Sequence, residues 1–101
     1  QSFGVISTSE AESHIGESIV VAGLRLSSHR AGTAHGELML FLSIEDLEGM
    51  LEVVFFPPVY QQYREFLRSS GPYLIRGIVE RNSEDGELWL RAEKVKIIRN
   101  A

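Results

Sequence analysis

Basic, aromatic and carboxylate side chains fall close together at several points of this chain, and their types suit binding better than catalysis. Arg25, His29, Arg30 and His35 form a locally basic stretch, because residues 19–36 contain no Asp or Glu. Phe41 follows in an alternating segment, sharing one phase with Met39 and Ser43 while Leu38, Leu40, Leu42 and Ile44 share the other. Trp89 stands next but one to Arg91, with Leu88 and Leu90 in the opposite phase. An outward aromatic ring stacks on a nucleic-acid base for roughly 1–3 kcal/mol, and a neighbouring arginine holds phosphate or lies over a ring. Glu52 is on the presumed outer face of MLEVVFF, where a carboxylate can accept a hydrogen bond from a base amino group. Arg76, Arg81 and Arg91 complete the cations able to line such a path. Alternation alone leaves a second reading open, with Phe41 in the core and Trp89 merely covering an end of the sheet.

Catalytic arrangements are harder to find. Glu45-Asp46 and Glu84-Asp85 are adjacent acids in turn contexts, where neighbouring side chains diverge, whereas an acid/base pair must converge on one substrate. The serines at Ser27-Ser28 and Ser69-Ser70 lack a nucleophile-elbow pattern, and no Gly-Lys-Ser/Thr follows Gly32 or Gly36. His29 and His35 could meet at a metal, but with no cysteine or closely spaced carboxylate they fit solvated or phosphate-facing roles better. The expectation is a non-catalytic domain with no metal, no cofactor and no small-molecule substrate.

Composition agrees with a binding domain and limits its kind. The 101 residues are 44% hydrophobic and 24% charged, the mix of one globular domain. Ten Lys+Arg against fourteen Asp+Glu leave a net charge of −4, which excludes binding by bulk positive charge. The absence of cysteine excludes a disulfide framework, a thiol nucleophile and a cysteine–zinc site. No apolar run approaches the ~18 residues of a membrane span, and the opening Gln1-Ser2-Phe3-Gly4 has no signal-peptide character. A first residue other than Met points to a domain cut from a longer chain. Charge is uneven: residues 37–56 hold five acids, whereas residues 57–81 hold four arginines against two acids.

The elements that must position these side chains follow from periodicity. Residues 1–18 read as a lead-in with one helical turn near 8–13, given the capping-box spacings Ser7/Glu10 and Ser9/Glu12, and Gly16 stops it. A first strand starts at Ile19, with a bulge expected at Gly23 where the apolar phase changes, and residues 27–36 read as a loop. Strands follow near 37–45 and 50–56, joined by a turn at 46–49. Pro57-Pro58 open a helix whose buried face is Val59, Tyr60, Tyr63, Phe66 and Leu67, and Gly71-Pro72 close it. Strands near 73–81 and 87–97 complete the order β-β-β-α-β-β. The expectation is therefore all-β: a five-stranded Greek-key OB-fold barrel over residues 19–98, with one helix between strands three and four plugging an end. Such a barrel binds single strands across its second and third strands, flanked by the loops joining strands one to two and four to five.

From Ile15 to Ile97 the sequence resembles the OB-fold domain near the C-terminus of the bacterial DNA polymerase III alpha subunit and its error-prone relatives. The resemblance rests on Gly16, Ala22-Gly23, Thr33, Gly36, Met39, Phe41-Leu42, Glu45-Asp46, Gly49, Glu52-Val53-Val54, Phe56-Pro57, Tyr60, Gly77 and Ala92-Glu93. More distantly, FLSIEDLEGMLEVVF is similar to the tRNA anticodon-binding domains of aspartyl- and lysyl-tRNA synthetases. The synthetase resemblance implies that Phe41 stacks a base and that Glu52 reads one. The polymerase resemblance implies a template-binding accessory domain, since the polymerase site, its three metal-binding aspartates and the exonuclease-like domain match nothing here. Implied partners are single-stranded DNA, other domains of a parent polymerase and replisome subunits, in the bacterial cytoplasm. Two departures are a first loop poor in Lys and Arg, and Glu37 at the mouth of the groove. A protein-docking module that does not touch DNA, and an anticodon-binding domain, are the alternatives.

Overall fold

The computed structural model describes residues 4–98, and the first three residues of the expected lead-in lie outside the described residues. Six strands run in chain order: β1 Val5–Ile6, β2 Ser18–Gly32, β3 Leu38–Glu45, β4 Met50–Phe55, β5 Tyr73–Arg81 and β6 Leu88–Ile97. A 3₁₀ turn, Thr8–His14, precedes β2, and helix α1, Pro57–Tyr63, stands between β4 and β5.

The barrel closes because β2 is long enough to serve two neighbours. Ser18 to Gly23 pair antiparallel with β5, and Leu24 to Gly32 pair antiparallel with β3. The circuit is completed by antiparallel β3–β4, parallel β4–β6 and antiparallel β5–β6. Its five main strands, with one helix between the third and the fourth, match the expected barrel. No helix among the described residues is long and apolar enough to cross a membrane.

Three local expectations are corrected. Residues 27–32 are strand, not loop, because the cross-strand ladder from Ser27↔Ser43 to Gly32↔Leu38 overrides the turn preference of Ser and Gly. The connecting loop shrinks to 33–37, where the Thr33 amide donates to the Glu37 carbonyl at 2.8 Å. The basic stretch therefore lies mostly on a rigid strand. The bulge falls between Arg25 and Ser27 rather than at Gly23. Gly23 instead marks the point where β2 exchanges β5 for β3, and a Cβ there would lie 2.7 Å from the Glu45 carbonyl oxygen. Finally, α1 ends at Tyr63 and a separate 3₁₀ turn covers Phe66–Arg68. That break rotates Phe66 off the buried face, leaving it 44% exposed, while Tyr60 and Leu67 still reach the core.

Leu40, Leu42 and Ile44 of β3 point inward with Val21, Val53, Phe55, Ile75, Val79 and Leu90. Burying each such side chain contributes about 1.5–3 kcal/mol before chain entropy is offset. Because the leucine phase is inward, Met39, Phe41 and Ser43 lie on the outer surface. The lead-in is fastened by Asp46 in the β3–β4 turn. Its two carboxylate oxygens accept from the Thr8 amide and hydroxyl, both at 2.8 Å, and Oδ1 also accepts from the Glu48 and Gly49 amides.

Candidate nucleic-acid interface

Alternate residues of β2, β3, β4 and β6 build an outer face in two rows. In one, His29, Phe41, Val54 and Arg91 are successive cross-strand partners; in the next, Ser43, Glu52 and Trp89 are. The His29 and Phe41 rings stack with centroids 4.9 Å apart and planes 14° from parallel. Trp89 lies 6.4 Å from Phe41 and meets Phe56 edge-on at 6.1 Å. Val54, in the outer phase, is fully buried yet separate from the barrel core, as expected of a residue beneath an aromatic layer.

The tryptophan is held by a carboxylate. Glu80, its partner across β5–β6, accepts from Trp89 Nε1 at 3.1 Å and from Arg91 Nε at 2.9 Å. Arg91 Nη2 also lies 2.9 Å from Glu80, so this cation is neutralised locally and fixed in place. Ser43 donates to Glu52 at 3.3 Å, orienting the carboxylate within the row it shares with Trp89.

Two cavities meet at His29 and differ in charge. One, of about 310 Å³, is lined by His29, Phe41, Glu52 and Trp89 together with Asn82, Asp85, Glu87 and Leu88 at the β5–β6 connection. Aromatic walls with three carboxylates and no lysine or arginine suit bases and their amino groups and repel phosphate. The other, of about 380 Å³, is lined by Arg25, Ser28, His29 and Arg30 of β2, Leu40 of β3, and Tyr60, Arg64, Leu67 and Arg68 from the helical segment. Arg25 is half-buried, with Nη2 donating to the Leu67 carbonyl.

The face thus gathers His29, Phe41, Glu52 and Trp89, with Arg91 beside them and Arg25 and Arg30 in the adjoining cavity. The remaining expected site residues are elsewhere. His35 is exposed in the 33–37 loop, its amide donating to the Thr33 hydroxyl at 3.3 Å. Met39 is half-buried opposite Ala31 and lines neither cavity. Arg76 pairs with Glu93 at 3.8 Å and lines a separate surface cleft with Lys94 and Lys96. Arg81 donates to the Gly86 carbonyl at 2.9 Å and reaches Glu12 at 3.5 Å. Sequence reasoning missed Phe56, Glu80, Asp85, Glu87, Arg64 and Arg68 as parts of the site. Phe56 continues the outer phase of Glu52 and Val54, and Arg64 and Arg68 stand at i, i+4 spacing in the stretch whose periodicity reads as helix, so both signals were present. Among the described residues, no three His, Cys, Asp or Glu side chains cluster as a metal site would need.

Residues 19–98 match the family model described as an OB-fold nucleic acid binding domain. The chain is 38% identical over 80 residues to the error-prone DNA polymerase of Cutibacterium acnes, covering 79% of this chain but 7% of that protein. Its fold is similar to that of asparaginyl-tRNA synthetase from Pyrococcus horikoshii, with a TM-score of 0.75 at 20% identity over 95% of this chain and 23% of the synthetase. It is also similar to that of a mitochondrial single-stranded DNA binding protein from S. cerevisiae, with a TM-score of 0.64 at 14% identity over 84% of this chain and 98% of the other.

Proposed function

We propose, from the premise that this chain belongs to the family of OB-fold nucleic acid binding domains, that it guides single-stranded DNA as an accessory domain of a bacterial DNA polymerase III alpha-type chain. The observation that carries this reading is the outer aromatic row, in which His29 stacks on Phe41 beside Trp89. Bases stack against the open faces of these rings, and Glu52 accepts from an amino group. The domain contributes no catalytic step, needs no metal or cofactor, and takes no small-molecule substrate. It works in the bacterial cytoplasm against other domains of its parent polymerase and replisome subunits. The error-prone polymerase relatives support the parent and the compartment; the single-stranded DNA binding protein supports the ligand through its name and shared fold.

Trp89 is the chain's single tryptophan, so its emission reports on this face directly. Adding oligothymidylate at low salt is expected to quench it. Phe41→Ala is expected to weaken binding measured by fluorescence anisotropy by ~1–3 kcal/mol, the worth of one stacked base. Unchanged affinity in Phe41→Ala, or no binding at high micromolar protein, would sink this reading.

A second reading, a protein-docking module, draws on a different surface. Leu24, Leu47 and Met50 are 48%, 102% and 59% exposed, and Leu24 and Leu47 line an apolar cleft with Ala22 and Pro72. Amide shifts at Leu24 and Leu47 on adding a polymerase partner, with none on adding DNA, would favour it.

A further inference from the structure

We propose that the arginine cavity next to the aromatic cleft is a phosphate subsite, which takes a phosphate group of the strand whose bases stack against Phe41 and Trp89. This rests on the reading above and adds the atom group that the cavity recognises. Arg25, Arg30, Arg64 and Arg68 line it, and no carboxylate is among its lining residues. In a chain of net charge −4, such a gathering of cations is electrostatically unfavourable until an anion joins it.

The donors are open for that anion. Among the described residues Arg30 and Arg64 have no ion pair, and Arg68 has only a 3.7 Å contact with Glu65, between side chains 73% and 81% exposed. Arg25 is the anchored member: its Nη2 is held by the Leu67 carbonyl, while its Nε is buried without a partner. Guanidinium forks match the tetrahedral oxygens of phosphate in pairs, where an ammonium offers only a point charge.

Placement separates the roles of the two cavities. The aromatic cleft carries Glu52, Asp85 and Glu87 and so disfavours phosphate, whereas the arginine cavity offers no acid. His29 lines both, so a base stacked in one places its backbone at the entrance of the other. The group seated there is either an internal phosphodiester or a terminal phosphomonoester, which share this chemistry.

The test uses the 101-residue chain and labelled oligothymidylates of about 10 nucleotides ending in a 5′-hydroxyl, a 5′-phosphate or a 3′-phosphate. Arg64→Ala with Arg68→Ala is expected to weaken binding about tenfold at low salt and to flatten the dependence of log K on log salt by about 0.7 per lost phosphate contact. Phe41→Ala is expected to weaken binding without changing that slope. Circular dichroism establishes that each variant remains folded, and Arg30→Ala provides an independent variant from β2. Tighter binding of a phosphorylated end that disappears in the double variant assigns the site to a terminal phosphate; equal binding of all three ends, weakened equally, assigns it to the backbone. Wild-type affinity and slope in both arginine variants, with Phe41→Ala still weakened, would overturn the subsite and leave the aromatic reading standing. If no oligonucleotide binds, the aromatic reading falls; an Arg25 Nε–Hε shift on adding inorganic phosphate then supports an anion site alone, and no shift overturns that too.

Discussion

At Glu52 a single carboxylate can decide which bases this face prefers. It lies in register with Trp89 and is oriented by the Ser43 hydroxyl. Cytosine and adenine present an exocyclic amino donor to it, whereas unpaired thymine offers only its N3–H, flanked by two acceptor oxygens that a carboxylate repels. Oligocytidylate is therefore expected to bind tighter than oligothymidylate, and Glu52→Gln to narrow the gap by about 1 kcal/mol, since an amide both donates and accepts. Competition anisotropy with the two homopolymers measures it, and an unchanged ratio in the variant would remove Glu52 from base reading. Although burial of Leu40, Leu42 and Leu90 is what turns it outward, the phase holding Phe41, Trp89 and Glu52 was legible from strand alternation. The engagement of Arg25, Arg76, Arg81 and Arg91 was not. Their partners, the Leu67 carbonyl, Glu93, Gly86 with Glu12, and Glu80, are brought to them by tertiary folding, and no local pattern marks a cation as already occupied.

Elements meet at two points where a single substitution tests the architecture. At the β5–β6 ladder, a Cβ on Gly77 would lie 2.4 Å from the Arg91 carbonyl oxygen and 2.9 Å from Leu90 Cγ. Backbone leaves little room to relax, so Gly77→Ala is expected to cost about 2–3 kcal/mol by urea unfolding. A loss below the error of that measurement would mean the two strands can separate there freely. The second point is the Asp46 clasp on the lead-in. Burial raises its carboxyl, but hydrogen bonds from the Thr8 amide and hydroxyl and from the Glu48 and Gly49 amides prevail, holding it below its ordinary 3.8. A depressed folded value means the stabilisation is fully present above the unfolded value and is lost as pH falls through the folded one. The Thr8 amide resonance is accordingly expected to titrate with a midpoint below 3.8, accompanied by faster hydrogen exchange across the 3₁₀ turn. Asp46→Asn should reproduce the loosening at neutral pH, and a midpoint at or above 3.8 would contradict the clasp. The sequence showed the strands and helix because their periods differ. It hid the length of β2, since Ser27, Ser28 and Gly32 favour turns locally and become strand only through pairing with β3.

Over the whole molecule, the net charge of −4 and the arrangement of charges have opposite consequences. Long-range attraction to a polyanion is weak, so affinity must come from stacking and a few close contacts. The cations differ in availability: Arg76, Arg81 and Arg91 contact carboxylates, whereas Arg30 and Arg64 have no ion pair among the described residues and Arg68 has one loose, exposed pair. Each phosphate engaged on a single strand contributes about −0.7 to the slope of log K against log salt. One phosphate held jointly by Arg30, Arg64 and Arg68 therefore sets an expected slope of about −0.7, rising to no more than about −2 if each arginine met its own phosphate, shallow for a nucleic-acid binder. Anisotropy titrations between about 0.05 and 0.2 M salt measure it directly. A slope steeper than about −4 would require more cations than this face holds. The cleft of Arg76, Lys94 and Lys96 on the β5–β6 ladder would then have to be engaged as well, and the strand would wrap the barrel instead of crossing one face. Reversing Lys94 and Lys96 to Glu separates the cases: a strand confined to the aromatic and arginine cavities loses little affinity and keeps its slope, whereas a wrapping strand loses both.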